Sequence, residues 1–357
     1  MKRITAFLFA VFALSGVMPA AGAQTLPTKF EVKIKAKDHV QGMAIDTAAR
    51  CVYLSFTTSL VKTDYEGNVL ASIDSIFGHL GAMTFDAASR KLYASLECKD
   101  DVIGQGIAKH LGKEAVSQDL SKFYIMVFDV DGGQARPGAG NPVIAGQWEV
   151  SEAINDYKVR YGCSGIDGVT IAPQIGKKKG KPRLYVAYGV YGDISRRDND
   201  HQILLEYKLD AFKPGVTAPK ASAKYFVFTG NTTWGVQNLC YDAKTGCIFM
   251  ACYMGKKPEF PNFSLFAVPV AQKPVKKVLR GLEDDGEHLS LALWQQGLLG
   301  SVKGVRGWRF SDATTGVCTL GDGTWFVSTP LKLRGKMQTA TVRQIRWKGG
   351  PQENPFE

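Results

Sequence analysis

The amino-acid sequence predicts an all-β fold, a β-propeller of five four-stranded blades. Three observations lead to this prediction: a segment pattern that recurs five times, further strand-like runs after each copy, and one strand left over near the N-terminus. Repeats that each contribute a small antiparallel sheet around a channel are typical of a propeller. Two alternatives stay open: a ring of seven blades in which some repeats are hidden, and a large β-sandwich.

Each copy of the repeat contains an apolar strand that often ends in Asp, a turn, and a second strand with an aromatic residue two positions before a small one. In the first copy these strands cover residues 42–46 and 52–55. The repeat Asp precedes the aromatic residue by seven positions in the first, second and fourth copies. Asp-initiated turns join antiparallel strands well, so each copy predicts a hairpin. The five copies begin at Gly42, Gly81, Gly168, Gln237 and Gly316.

Further strands are predicted after each hairpin. A third strand follows every copy and a fourth follows the first four copies, the last of these at residues 275–279. The fifth copy reaches the end of the chain after its third strand, whereas residues 29–35 form a strand that belongs to no copy. Because pairing these two would close the ring and remove an exposed sheet edge, we expect the N-terminal strand to complete the last blade.

The N-terminus has the features of a secretory signal peptide. Lys2 and Arg3 precede a short apolar run, and Ala21-Gly22-Ala23 is an A-x-A-like cleavage site. We therefore predict a signal peptide over residues 1–23 and a single propeller domain over residues 24–357, secreted or periplasmic after cleavage. No later run is apolar over eighteen residues, so we expect no transmembrane segment. A monomer is expected.

The net charge indicates which ligands are favoured, and the cysteine content indicates which disulfides and metal sites are possible. The formal net charge is +11, which favours anionic ligands. For an exported protein we expect an acidic glycan or another anionic small molecule rather than nucleic acid. Seven cysteines are present, and an odd number leaves at least one outside any disulfide. Their spacing does not resemble a zinc site.

The entries into the inner strands of a propeller lie at one end of its channel, and two histidines occur there. His39 and His79 each precede the repeat Asp by seven residues, so they are equivalent positions of neighbouring blades. Imidazoles exchange protons near neutral pH. We predict His39, His79 and Tyr191 as catalytic residues. The alternative for each histidine is a structural role in fixing the strand entry.

Ligand contacts are predicted from the same entries and from the loops between second and third strands, which hold most of the long insertions. Arg binds carboxylate, sulfate or phosphate groups with paired hydrogen bonds, and Trp stacks on a sugar face. For the two arginines of this set, salt bridges within their own loop are the alternative. The predicted ligand-binding residues are Gln41, Asp167, Arg196, Arg197, Trp234, Gln237, Lys256 and Lys257.

Several stretches resemble a family of secreted bacterial β-propeller proteins. They are His39-Val40-Gln41-Gly42, Gly78-His79-Leu80-Gly81, the segments at 198–205 and 230–238, and Phe260-Pro261-Asn262. More distantly, the chain is similar to carbohydrate-active propellers that remove rhamnose from rhamnosyl-glucuronate glycans, some of which rely on one His. That resemblance implies a catalytic role for His39. Those enzymes have seven blades, whereas five repeats are counted here.

Together these observations predict an exported protein that binds an acidic, uronate-containing glycan and cleaves it by His-dependent glycosidase or lyase chemistry. Two alternatives belong to other functional classes. One is a non-catalytic propeller that binds anionic polymer at the cell surface, and the other is a metal-dependent hydrolase of the lactonase or phosphatase type. No cofactor and no metal ligands are predicted, and a central divalent cation is the alternative.

Overall fold

Short antiparallel strands make up most of the molecule. The computed structural model describes residues 26–36, 38–117, 121–154, 163–190, 193–197, 200–230, 232–279, 286–300 and 304–357. Among these residues, no helix is long and apolar enough to cross a membrane.

The strands of the first three blades follow one another along the chain, and in each blade the sheet order is the chain order. The first blade contains β2 (Val40–Asp46), β3 (Cys51–Phe56), β4 (Ser59–Thr63) and β5 (Val69–Ile73). The second contains β6 (His79–Asp86), β7 (Lys91–Cys98), β8 (Lys122–Asp129) and β9 (Val143–Glu149). The third contains β10 (Cys163–Pro173), β11 (Pro182–Val190), β12 (His201–Lys208) and β13 (Ala223–Phe228).

The last two blades use chain segments that are farther apart. The fourth blade contains β14 (Thr232–Asp242), β15 (Cys247–Met254) and β16 (Leu265–Pro269). The fifth contains β21 (Val317–Thr319), β22 (Thr324–Lys332), β23 (Gln338–Arg346) and β1 (Lys29–Glu31). Between these blades the chain forms β17 (Val275–Val278), β18 (Glu287–Leu291), β19 (Leu298–Leu299) and β20 (Arg306–Gly307).

Five blades close into a ring, as predicted. The inner strands contact one another in the order β2, β6, β10, β14, β21 and back to β2. Strand β1 pairs antiparallel with β23, with Phe30 opposite Val342, so the N-terminal strand completes the fifth blade. The backbone N–H of Val32 extends this pairing by donating to the carbonyl of Ala340 at 2.9 Å.

The residues that the structure describes form five hydrophobic clusters, and each lies between two neighbouring blades. One cluster joins Tyr53 of the first blade to Leu92 of the second, and another joins Phe30 and Phe326 of the fifth blade to Leu54 of the first. Each blade therefore buries apolar side chains against both of its neighbours in the ring.

The repeat Asp has a structural function in the hairpin turn. The Asp46 carboxylate accepts hydrogen bonds from the backbone N–H groups of Ala48 and Ala49 at 3.1 and 3.0 Å. Its other oxygen lies 2.5 Å from Arg90 in the second blade, and Arg90 also contacts Asp131 at 2.8 Å. The motif read from the sequence therefore caps a turn and, in the first copy, ties two blades together.

The fourth blade differs from the prediction. Residues 275–279 were expected to form its fourth strand, but β17 pairs with β18, and β18 pairs parallel to β13 at the edge of the third blade. The fourth position is instead held by Trp308, which exchanges backbone hydrogen bonds with Leu265 at 2.8 and 3.0 Å. A buried aromatic group around Trp308 and Phe249 explains this preference, because it fills the space between the fourth and fifth blades.

One α-helix, α1 (Val102–Leu111), interrupts the second blade between β7 and β8. Asp101 caps its N-terminus by accepting a hydrogen bond from the backbone N–H of Gly104 at 2.8 Å, and Gly112 ends it with φ of 64°. Because β7 ends at the same side of the ring at which the inner strands begin, α1 lies over one end of the channel.

Candidate functional site

A cavity of about 600 Å³ opens at one end of the channel, where the inner strands begin. The entries into four inner strands contribute to it, together with the ends of β7 and β15 and the helix α1. We call this cavity the channel mouth. Its polar floor contains His39, His79, Glu97, Lys99 and Asp167.

His39 lies in the channel mouth beside Gln41, with Nε2 of the imidazole 2.8 Å from Nε2 of the amide. Burial lowers the pKa of His39 below its ordinary value of 6.5, and the nearby His79 lowers it further. His39 is therefore a neutral imidazole at neutral pH, able to accept a proton.

His79 is paired with Asp167, whose Oδ1 lies 3.5 Å from Nδ1 of the imidazole. Burial alone would lower the pKa of His79, but the pairing with the Asp167 carboxylate, together with the charge of Glu97, outweighs it and raises the pKa above 6.5. The two histidines, equivalent by repeat position, thus have pKa values shifted in opposite directions.

Glu97 is a buried residue of the same cavity. Its Oε2 lies 2.7 Å from Nζ of Lys99, and its Oε1 accepts a hydrogen bond from the backbone N–H of Ile166 at 2.6 Å. Burial raises the pKa of Glu97, and the neighbouring Asp167 adds to this, while Lys99 opposes it. The bond to Ile166 fixes the backbone next to Asp167, so Glu97 positions the carboxylate that faces His79.

Two glycines leave room for these carboxylates. Gly165 has φ of 132°, and a Cβ there would lie 2.2 Å from Oε1 of Glu97. A Cβ on Gly81 would lie 2.5 Å from Oδ1 of Asp167. The backbone therefore approaches both carboxylates at distances that only glycine allows.

Apolar side chains form the rim of the channel mouth. Val102 and Ile103 of α1 are 87% and 52% exposed, and Trp234 at the entry to the fourth blade is 47% exposed. Exposed apolar groups around a polar floor mark a binding site for a ligand with polar and apolar faces. A sugar ring has that character.

A divalent cation is the other ligand that the floor could hold. One ligand atom each from His79, Glu97 and Asp167 lie within 4.8 Å of one another. Imidazole and carboxylate groups in this number suit Zn²⁺ or another divalent ion. However, Nζ of Lys99 already lies 2.7 Å from Oε2 of Glu97, so a cation would compete with Lys99 for this carboxylate.

The structure brings six of the predicted site residues together. The cavity lining includes His39, Gln41, His79, Asp167, Trp234 and Gln237. Tyr191 lies outside the described residues.

The four predicted basic contacts are not part of the cavity lining. Lys257 is buried in an ion pair, with Nζ 2.8 Å from Oδ1 of Asp200, and it also donates to the carbonyl of Arg196. The part of the chain that the structure describes therefore forms no collar of basic groups around the imidazoles. Binding roles for Arg196, Arg197, Lys256 and Lys257 stay predictions that would need a ligand extending beyond the cavity.

Sequence reasoning missed Glu97, Lys99 and Tyr253. A signal for them exists: Thr57, Glu97 and Tyr253 each follow the repeat aromatic residue by four positions, and all three line the channel mouth. Burial and the charge of Asp167 raise the pKa of Tyr253. The ends of the second strands are thus a second ring of site positions, beside the strand entries.

Comparisons with known proteins give neither a matching family model nor a matching curated protein. Among solved structures, the chain is similar to a GH43 β-1,3-galactosidase with galactodeoxynojirimycin, at 11% identity and a TM-score of 0.44 over 91% of this chain and 99% of that one. It is also similar to a Bacillus subtilis arabinanase, at 11% identity and a TM-score of 0.41 over 88% and 97%. A chain of the nidogen/laminin complex matches at 12% identity and a TM-score of 0.37 over 83% and 76%. Likeness at this level does not indicate what this chain binds.

Proposed function

We propose that this protein is a carbohydrate-active enzyme whose active site is the channel mouth, with His39 as the base and His79 as the acid. The observation on which the proposal depends is that one cavity contains two imidazoles with different neighbours, His39 beside the Gln41 amide and His79 beside the Asp167 carboxylate. These neighbours and burial shift the two pKa values in opposite directions. Titratable groups whose environments move their pKa values apart are suited to complementary proton transfers.

The chemistry follows from the two protonation states. Nδ1 of His79 faces Asp167, which leaves Nε2 to donate a proton to the oxygen of a glycosidic bond as that bond breaks. Neutral His39 accepts the balancing proton. In hydrolysis it takes the proton from the attacking water, and in a lyase reaction it takes the proton from the carbon next to a uronate carboxylate. The second route gives an unsaturated sugar and a free hydroxyl group, with no other reactant.

The shape and polarity of the channel mouth support a sugar as the ligand. Trp234 offers an aromatic face for stacking, and α1 provides an apolar wall opposite the polar floor. Lys99 and protonated His79 are the groups that would meet a uronate carboxylate, and the net charge of +11 favours an acidic polymer. These points support extending the proposal to an acidic glycan. The signal-peptide features of residues 1–23 support an activity outside the cytoplasm.

A second candidate function is a metal-dependent hydrolase, favoured by the convergence of His79, Glu97 and Asp167. A divalent cation there would polarise a bound carbonyl or phosphoryl oxygen. In that case His39 remains the base, and His79 is a ligand rather than an acid.

The test is a screen for new reducing ends and for unsaturated sugars on polygalacturonate, galactan and arabinan. The wild type is compared with His39→Gln and His79→Gln, and with His288→Gln as a control outside the channel mouth. We expect each site variant to lose at least about 100-fold in turnover, the range for removing a general acid or base, while keeping glycan binding.

Other outcomes decide against the proposal. Wild-type binding without turnover on any polymer would indicate a non-catalytic binding propeller. Turnover that a chelator abolishes and one added divalent ion restores would favour the metal-dependent hydrolase. Full activity in both histidine variants would remove the channel mouth as the site of chemistry.

A further inference from the structure

A group of exposed lysines lies on the side of the ring opposite the channel mouth. Strand β10 runs from Asp167 in the channel mouth to Pro173, and the turn that follows therefore lies at the other end. A second basic segment begins at the same side after β16, with Lys273, and continues into β17, the outer strand of the third blade's sheet, where Lys276 and Lys277 lie. We call the two together the lysine patch, formed by Lys177, Lys178, Lys179, Lys181, Lys273, Lys276 and Lys277.

Backbone contacts hold the two segments side by side, although they are about 95 positions apart in sequence. The N–H of Gly176 donates to the carbonyl of Val270 at 2.8 Å, and a Cβ on Gly176 would lie 3.1 Å from Cδ of Pro274. Within its own turn, Gln174 donates its N–H to the carbonyl of Lys181 at 3.0 Å. The basic turn is therefore an ordered element of the surface and not an independent tail.

The lysine patch is not neutralised by the described part of the chain. All seven side chains are exposed, segments 174–181 and 271–278 contain no Asp or Glu, and no described residue forms an ion pair with any of the seven. Like charges held this close repel one another, and a partner that supplies several negative charges relieves that repulsion.

Protection of an exposed sheet edge explains only part of the lysine patch. Strand β17 is the outer strand of its sheet, and Lys276 and Lys277 would discourage another strand from pairing with it. The four lysines of the turn at 177–181 lie on no edge strand, so they need a different reason. A binding function accounts for both segments at once.

We propose that the lysine patch binds an anionic polysaccharide and holds the propeller on it while the channel mouth, at the opposite side, stays open to another part of the same material. That the ligand is a polyanion follows from the charge of the lysine patch alone. The choice of a polysaccharide over another polyanion depends on the proposed function. Lysines act as point charges without a fixed geometry. We therefore expect binding to be strong at low salt, weak at high salt and independent of the order of sugar units in the polymer.

Binding to immobilised polygalacturonate tests this inference, measured as an apparent Kd at about 50 mM and about 200 mM salt. Two triple variants divide the patch: Lys177→Gln, Lys178→Gln, Lys179→Gln, and Lys273→Gln, Lys276→Gln, Lys277→Gln. The matched control removes the same charge from exposed positions elsewhere: Lys29→Gln, Lys35→Gln, Lys332→Gln. Circular dichroism verifies that each variant folds.

We expect each patch variant to bind about tenfold more weakly than the wild type at low salt, and the control to lose less than about threefold. Equal losses in patch and control variants, or no binding of the wild type to polygalacturonate, would overturn the inference. Wild-type binding to vesicles with anionic lipid, but not to the polysaccharide, would overturn it in favour of a membrane.

Turnover of short soluble oligogalacturonates separates this inference from the proposed function. Both patch variants should keep the wild-type turnover of such oligosaccharides while their affinity for immobilised polygalacturonate falls. Wild-type affinity for the polymer in both patch variants would remove the role of the lysine patch, whatever the turnover.

Discussion

Removing the carboxylate of Asp167 should reverse the pKa shift of His79. The two groups lie 3.5 Å apart and are 13% and 11% exposed, so at an effective dielectric constant of about 20 their attraction is about 5 kcal/mol. The raised pKa means that the protonated imidazole stabilises the fold fully below pH 6.5, and that this contribution is lost as the pH rises through the folded-state pKa. In Asp167→Asn, burial is unopposed by that carboxylate, and the pKa of His79 should fall below 6.5.

The same change should therefore destabilise the protein more in acid than in base. Breaking a buried pair costs about 3 kcal/mol or more, so we expect a loss of about 3 kcal/mol in the free energy of unfolding at pH 5. At pH 9, where the protonated fraction of His79 is smaller, we expect less than about 1 kcal/mol. Urea denaturation at both pH values gives the energies, and NMR titration of the five histidines gives the pKa.

Asp38→Asn is the control, because Asp38 lines the same cavity but acts on His39. It should leave the titration of His79 unchanged. An equal loss of stability at pH 5 and pH 9, or a His79 titration that does not move in Asp167→Asn, would refute the pairing as the cause of the raised pKa.

Three further predictions concern the scaffold. Gly165→Ala should lower the free energy of unfolding by about 3 kcal/mol, because φ of 132° and contact with a carboxylate exclude a Cβ. The control Gly106→Ala in α1 places its Cβ in open space and should raise the free energy of unfolding by up to about 1 kcal/mol. Equal effects of the two variants would contradict the requirement for glycine at position 165. Arg90→Met should lower the free energy of unfolding by about 3 to 5 kcal/mol, because it leaves two buried carboxylates unpaired. The control Arg309→Met removes an exposed ion pair and should change the free energy of unfolding by less than about 1 kcal/mol. Similar values for both variants in thermal unfolding would refute the role of Arg90 in joining two blades. Burial raises the thiol pKa of six cysteines, Cys51, Cys98, Cys240, Cys247, Cys252 and Cys318, so iodoacetamide at pH 7.5 should label these six slowly in the folded protein and fast in urea. Rapid labelling of these six in the folded protein would contradict this prediction.

Much of the ring could be predicted from the sequence because its determinants are local. An Asp followed seven positions later by an aromatic residue defines a hairpin, and Asp46 shows why: its carboxylate caps the turn that sets this spacing. The spare strand at Lys29 could be placed because a closed ring has no free edge. The outer strand of the fourth blade could not be predicted from the sequence. Whether residues 275–279 or Trp308 take this position depends on packing against aromatic groups from distant segments.

The channel mouth could be predicted only as far as the repeat places residues at equivalent positions. His39 and His79 were found because both precede the repeat Asp, and the structure lines the same cavity with them. Lys257 does not occupy a position that the repeat defines. Its ammonium group forms an ion pair with Asp200, and this contact depends on how two loops fold against each other. The opposed pKa shifts could not be predicted either, because they depend on which imidazole has Asp167 beside it.

The most direct test of the central claim is a crystal structure of His79→Gln soaked with oligogalacturonates and, separately, with neutral galacto-oligosaccharides. We expect sugar density in the channel mouth, with a ring on Trp234 and a glycosidic oxygen within hydrogen-bonding distance of residue 79 and on the side facing His39. Sugar density found only away from the channel mouth, with the cavity holding solvent at saturating ligand, would contradict it.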